Sequence, residues 1–488
     1  LAEIKELERH VKQYAVDNVL TKNEIFEMKA KLKEAEEGLE KALEGVSHAH
    51  TRQIIYDLLK SEILYDLLPI LKNTLIIEDN KALEEIFKLM SIKCVAFEEE
   101  LKPEINVWFP IILYIIDYLF YELSNNALFL FTKIIVTWLL RYHIQVEEFF
   151  DKIFVKYIEF ARTKILNDVE FDDFSFRKEL ELKKNILFTI LWGVAYKSNE
   201  TIEFLDELIE SKESKRIFEE VLFNKQGYIL LCKHVPNYAL KVLKLYIIKK
   251  SDIPERIDGY HDPLRYHSFF KDFHYEFKAP FYNFLTFHED NGLTLIHDIV
   301  NQATKIWIAT DQPLVYGLFF NPFSDHRTPL AQSIQLNEMD SIEVWGDEDV
   351  YSWSMPLGMC SDVIKHALNS LEKWAFNEVV INDRDLEALI VKILEATNSF
   401  SMVAVIVKLS LHIFDEIINK KLEFDFDDII RAIKPILKKP TFWNLDLTRS
   451  IKYGMGLNDY RSRNLEVYFT IIKFYLRDEN LKNELLTE

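Results

Sequence analysis

The chain has 488 residues and a mass of 57.9 kDa, roughly two to four times a usual domain length, so it divides among several cores or extends as an array. Hydrophobic residues make up 49% of it, and only 11 glycines and 13 prolines interrupt it, too few for the many turns of a β-sandwich. With 79 acidic against 59 basic residues the net charge is −20, a field that repels polyphosphate and excludes non-specific nucleic-acid binding by the surface as a whole.

No cleavable signal pattern opens the chain, and its start at Leu1 rather than Met is expected either of a portion of a longer protein or of a processed start. Residues 1–47 read as a pair of surface helices or a linker, with Thr21 and Glu24 at capping-box spacing. From 48 to 251 helix follows helix, with turns near 72–80, 102–106, 124–126, 167–173, 197–200 and 224–227. That spacing is expected of stacked helix pairs, so a HEAT/TPR-like solenoid is predicted. The apolar stretches 107–119 and 127–140 are interrupted by Pro110, Asp117 and Lys133 and separated by 122–126. They are too short for a span of about 20 residues and read as helices buried deep in a core.

Residues 252–360 change character: prolines and glycines gather there, as do six of the 13 histidines. Ser333–Leu336 and Ser341–Trp345 alternate as short strands around an Asn337–Asp340 turn, so this segment is predicted to be an irregular insertion carrying a β-hairpin. From 361 to 488 the helical pattern returns as a C-terminal array. Val363, Ala367, Leu371 and Trp374 share one face behind the cap candidate Ser361, and helices are expected over 385–397, 402–419, 427–437 and 465–476, with Pro435 and Pro440 bending or ending one of them.

Chemistry-bearing motifs are sparse. Cys94, Cys232 and Cys360 lie far apart without metal-ligand spacing, which points to buried thiols in a reducing, cytoplasmic setting. No Gly-x-x-x-x-Gly-Lys-Ser/Thr loop, Gly-x-Ser-x-Gly elbow or His-Glu-x-x-His helix occurs, and no cofactor is predicted. The strongest catalytic alternative is a metal-dependent phosphohydrolase of the HD type, with His261, His267, His297 and Asp298 as ligands. Against it, His297 and Asp298 flank the apolar face of a helix carrying Leu293, Ile296, Val300 and Ala303. The acidic clusters 346–349 and 425–428 lack calcium-loop spacing and read as solvated caps. Lys438, Lys439, Arg449, Lys452, Arg461 and Arg463, interleaved with aromatics, are either a phosphate- or acid-binding patch or a basic rim pairing with the chain's own acids.

Four stretches carry a family resemblance: Pro280-Phe-Tyr-Asn-Phe-Leu285; Gly292-Leu-Thr-Leu-Ile-His-Asp-Ile-Val-Asn-Gln-Ala-Thr304; Val344-Trp345 with Tyr351; and Val363-Ile-Lys-His-Ala-Leu-Asn-Ser-Leu-Glu-Lys-Trp374. Together, over 279–377, they resemble the helical, sensor-side region of large bacterial antiviral STAND NTPases of the Avs type. The resemblance implies an effector, an NTPase engine and a helical sensor in one long chain, with a phage protein as the trigger for oligomerisation. This chain has no Walker motif and no recognisable effector, so under the resemblance it is either the sensor-side portion or a divergent stand-alone relative.

The expected function is therefore that of a non-catalytic, protein-binding helical array, with a purely structural scaffold as the remaining alternative. Its partner is a protein, a phage protein under the resemblance, with other parts of a longer chain or a second copy as further contacts; neither membrane nor bulk nucleic acid is expected. Irregular segments on rigid scaffolds carry recognition, and exposed aromatics and arginines dominate interface energy. The candidate partner-binding residues are thus Arg327, Trp345, Tyr351 and Trp353, supported by Arg461 and Arg463.

Overall fold

The computed structural model describes residues 116, 123–141, 146–166, 176–248, 264, 279–309, 330–337, 340–355, 358, 360–419, 424–453, 460–474 and 476–487. Among these are 18 α-helices and one two-stranded sheet, so the fold is mostly α. None of the described helices is long and apolar enough to cross a membrane. The expected helix pair of 1–47, the turns near 72–80, 102–106 and 167–173, the apolar stretch 107–119 apart from Ile116, and Arg327, His261, His267 and Cys94 lie outside the described residues. Two compact units are divided after Leu230, and the segments set off in the sequence as 252–360 and 361–488 belong together to the second.

The first unit is built from α1 (Asn125–Arg141), α2 (Val146–Lys152), α3 (Phe154–Ala161) running into a π turn (Arg162–Leu166), α4 (Phe176–Trp192), α5 (Ser198–Glu210) and α6 (Lys212–Asn224). Helix α1 packs along α4, which also meets α3 and α6. On α1, Ala127, Leu128, Phe131, Ile134, Ile135 and Leu139 are buried, as expected of an inner-layer helix apolar on more than one side. The core is aromatic: Phe149 meets Phe150 edge-on at 5.1 Å and Tyr157 at 6.2 Å, and Phe150 meets Phe154 at 4.7 Å and stacks on Tyr196 at 4.8 Å. Gly193 permits this packing, because a Cβ there would stand 2.1 Å from the Phe154 ring. The turn foreseen near 224–227 is present, with Gln226 in the left-handed region at φ 55°.

Helix α7 (Tyr228–His234) carries the division. The second unit continues with α8 (Pro236–Ile247), α9 (Pro280–Phe287), α10 (Glu289–Ala309), β1 (Leu330–Gln335), β2 (Ser341–Gly346), α11 (Glu348–Tyr351), α12 (Asp362–Val380), α13 (Leu386–Leu394), α14 (Phe400–Ile418), α15 (Phe426–Leu437), α16 (Pro440–Tyr453), a 3-10 turn (Tyr460–Ser462), α17 (Glu466–Phe474) and α18 (Glu479–Thr487). Helix α14 is its centre. Every residue from Phe400 to Leu411 is buried, and α12, α11, α15, α13 and β2 all pack on it, which is what an all-round apolar helix requires.

The strands pair antiparallel, with Leu330 opposite Gly346 and Gln335 opposite Ser341. The hairpin foreseen in the sequence is therefore real, though its first strand starts three residues earlier. Gln335, Asn337 and Asp340 bond among themselves at its turn. Two local expectations hold only in part. Ser361 occupies the N-cap of α12, but its side chain makes no cap hydrogen bond. Pro435 sits inside α15 without ending it, and Pro440 opens α16, where its missing N–H costs nothing.

Candidate functional site

Asn369, Glu372, Lys373 and Phe376 recur on α12 at helical intervals and so form one stripe. Lys408 and His412, four apart on α14, face it. A buried lysine and a buried glutamate are each costly alone and tolerable only as a hydrogen-bonded pair. Here Lys408 and Glu372, both almost wholly buried, meet at 2.7 Å. Lys408 Nζ also donates to Asn369 Oδ1 at 3.1 Å and to the Ser354 carbonyl at 3.4 Å. Tyr460 Oη donates to the other Glu372 oxygen at 2.6 Å. Burial pushes the Glu372 carboxyl up, but the Lys408 ammonium and the bonds from Lys408 and Tyr460 outweigh it and hold the group below the usual carboxylate range.

The His412 imidazole is sandwiched at 4.0 Å between the rings of Phe376 and Tyr460, nearly parallel to both. Burial lowers its pKa, partly opposed by Glu372. Its Nδ1 is buried without a hydrogen-bond partner, 3.8 Å from Glu372 Oε1. Together with Ser354, Asn369, Glu372, Lys373, Lys408 and Tyr460, His412 and Arg461 line a half-open cavity of about 80 Å³.

A second buried pair fixes the wall of this cavity. Arg449, fully buried on α16, donates from Nε to Asp446 Oδ1 at 2.7 Å, from Nη1 to the Arg461 carbonyl at 2.8 Å and from Nη2 to the Arg463 carbonyl at 2.5 Å. Asp446 also accepts from the Leu465 backbone N–H at 2.8 Å and from Tyr351 Oη at 3.3 Å. Burial alone would lower the Arg449 pKa, but Asp446 reverses this and raises it. The segment from Tyr460 to Leu465 is thereby tied to α16, and Tyr460 is held against His412 and Glu372.

The sequence candidates fall differently. Tyr351 and Trp353 were expected as exposed interface aromatics, but they are 0% and 1% exposed. Tyr351 is spent on Asp446, and Trp353 packs in the core with its carbonyl accepting from Cys360 Sγ at 3.3 Å. A ring so enclosed offers no surface to a partner. Trp345 is half-buried, with its indole N–H on Glu343 at 2.9 Å and its backbone N–H on the Asn398 carbonyl at 2.8 Å. Arg461 lines the cavity. Arg463 bonds Asp415 from Nε and Nη2 at 2.8 and 2.5 Å.

The basic neighbourhood around these arginines is a rim paired with the chain's own acids: Lys438 with Glu484 at 2.7 Å, Lys452 with Glu348, and Arg449 with Asp446. The acidic cluster 425–428 serves as caps. Asp425 accepts from the Asp427 backbone N–H, and Asp427 from those of Arg477 and Asp478. Both members of the proposed metal set that the structure describes are occupied. His297 Nε2 donates to the Ile393 carbonyl at 2.8 Å, and Asp298 pairs with Lys244. Among the described residues no three His, Cys, Asp or Glu side chains gather as a metal site.

The pairs Glu372–Lys408 and Asp446–Arg449 were missed in the sequence. A signal existed: Lys408 is the only charge within the run from Met402 to Leu411, a position where a lysine must find a counter-ion. No protein-family model matches this chain, and no curated protein matches it closely enough to indicate a relationship.

Proposed function

We propose that this chain is a protein-binding helical module of the cytoplasm, the sensor side of a bacterial antiviral STAND NTPase, with a phage protein as its partner. Under this reading the helices belong to a HEAT-like array. The observation that carries protein binding is the outer face of α17. Tyr468, Ile471 and Ile472 bury its inner face, while Phe469 and Phe474 stand 53% and 67% exposed beside Thr470 and Lys473. Large aromatics placed outward on a folded helix are the residue type that anchors partners. The buried acids and bases argue the same way: Glu372 and Lys408 neutralise each other, an arrangement suited to shaping a surface rather than to moving protons. The antiviral assignment rests on the resemblance over 279–377.

The test is a plaque assay on cells carrying the natural gene, as wild type and as Phe469→Asp/Phe474→Asp. Protection against at least one phage is expected for the wild type and should fall in the variant while its soluble yield and melting temperature hold. Absence of protection across a broad phage panel would remove the antiviral reading. Undiminished protection by the variant would remove α17 as the contact. Stoichiometric bound metal with phosphoester hydrolysis that disappears in His297→Ala would overturn the module in favour of the hydrolase.

A further inference from the structure

From the open edge of β1 we infer that the second unit pairs with a second copy of this chain, strand against strand, about a twofold axis at Ser333. The inference does not depend on α17, and its failure leaves the reading of that helix where it stands. In the hairpin, Trp345 lies opposite Ala331 and turns its backbone N–H away from β1, to the Asn398 carbonyl. Paired residues of an antiparallel ladder aim their backbone groups either at each other or both away. Ala331, and by alternation Ser333 and Gln335, therefore turn N–H and C=O away from β2. The two edges of the sheet differ. That of β2 is met by Asn398 and Ser399, whereas among the described residues no hydrogen-bond partner meets the outward groups of β1, and Ala331, Ser333 and Gln335 are all exposed. Folded proteins ordinarily guard such an edge with charge, proline or a bulge. The strand Leu330-Ala-Gln-Ser-Ile-Gln335 has none of these: its residues are uncharged, and its register against β2 is one-to-one.

Self-complementarity identifies the occupant. Laid antiparallel with Ser333 opposite its own counterpart, the outward residues match: Ala331 faces Gln335 of the second copy and Ser333 faces Ser333, each pair exchanging both N–H···O bonds. The same register sets Leu330, 41% exposed, against the half-buried Leu336 at both ends of the pairing, an apolar cross-strand contact made twice. The chain's −20 charge opposes self-association in general, and an uncharged strand is where two copies can approach without setting like charges face to face. One strand pair is well short of the roughly 1,600 Å² of a standard stable interface. The dimer is accordingly weak and reversible, with a Kd on the order of 10–100 µM.

Sedimentation velocity of the full chain, over about a hundredfold range of concentration around that value, tests this. The wild type is expected to pass from monomer to dimer. Ser333→Pro removes an outward N–H and no bond to β2, the position at which an edge strand tolerates proline. It should weaken dimerisation about tenfold, because the symmetry removes two hydrogen bonds at once. Ser333→Lys and Ser333→Glu each set like charges directly opposite and should stay monomeric, while their equimolar mixture should dimerise again. Recovery in the mixture requires both edges to be folded, so it separates lost pairing from lost structure. A wild type that stays monomeric throughout overturns the pairing and leaves the edge to a strand of another protein. A dimer unaffected by all three substitutions overturns β1 as its contact, and Lys and Glu variants that fail to dimerise when mixed overturn the twofold register at Ser333.

Discussion

The two units solve the problem of a buried interior in opposite ways. In the first, the centre is a chain of rings, Phe149, Phe150, Phe154 and Tyr157, closed over Gly193. In the second, an equally apolar helix, α14, carries a lysine at its middle, and the core is completed by Glu372–Lys408 and Asp446–Arg449. Dispersion and area burial reward many arrangements of rings almost equally, whereas a buried ion pair tolerates only the arrangement that satisfies it. The second unit therefore fixes the positions of Tyr460, Arg461 and Arg463 more narrowly than apolar packing would.

Breaking one partner exposes this difference most strongly. Lys408→Met leaves Glu372 buried and uncompensated, at a cost of about 3–5 kcal/mol. In urea unfolding, Glu372→Gln/Lys408→Met should recover most of that loss. Phe154→Ala in the first unit should cost a similar amount, about 3–5 kcal/mol, with no single partner change able to restore it. A double variant no better than Lys408→Met would show that shape, not pairing, holds the second core.

Acid sharpens the contrast by a smaller margin. His234, His297 and His412 in the second unit all have lowered pKa values, burial being the leading cause. An unfolded histidine takes up its proton near pH 6.5, while these folded ones wait for lower pH. Their contribution is complete above about 6.5 and is lost as pH falls through the lowered values. Glu372, also lowered, adds stability above the ordinary carboxylate range that is lost as pH falls through its own value. The first unit contains no histidine among its described residues. Thermal unfolding should therefore weaken between pH 7 and 5.5, and His297→Gln/His412→Phe should flatten that dependence. An unchanged slope would remove the histidines as its source.

The smallest effect belongs to the Arg162–Glu207 fork. Two bonds of 3.0 and 2.8 Å join side chains 40% and 42% exposed, so solvent screens them. Arg162→Ala should cost at most about 1 kcal/mol, read as a small shift in the urea midpoint. A loss comparable to Lys408→Met would mean that surface pairing also organises the first unit.

What the sequence disclosed follows from the range of each interaction. The face Val363, Ala367, Leu371 and Trp374 was legible from spacing, and all four are buried. The hairpin was legible from alternation around Asn337–Asp340, and α14 from its unbroken apolar run. Such patterns are local, with periods of two or 3.6 residues. The cavity was not legible, because Glu372, Lys408 and Tyr460 are brought together across 88 residues by packing that no local period encodes. Tyr351 and Trp353 misled for a related reason: they sit in an irregular stretch, and irregular backbone was equated with exposure. In fact α11 tucks against α14 and α16 and takes both rings inward. Arg461 and Arg463 were singled out for their charge, yet it is their carbonyls that Arg449 holds.

That last bond pattern bears on how this protein can change over generations. Arg449 grips residues 461 and 463 through main-chain oxygens, which every amino acid possesses. Substitutions at those two positions can alter what the cavity wall and the neighbouring surface present while the path of the chain stays where Arg449 sets it. A lineage under pressure to recognise new ligands can thus change these side chains without releasing the main chain that Arg449 holds, though at 463 the change also gives up the Arg463–Asp415 bonds, whereas Asp446 and Arg449 themselves can vary only together.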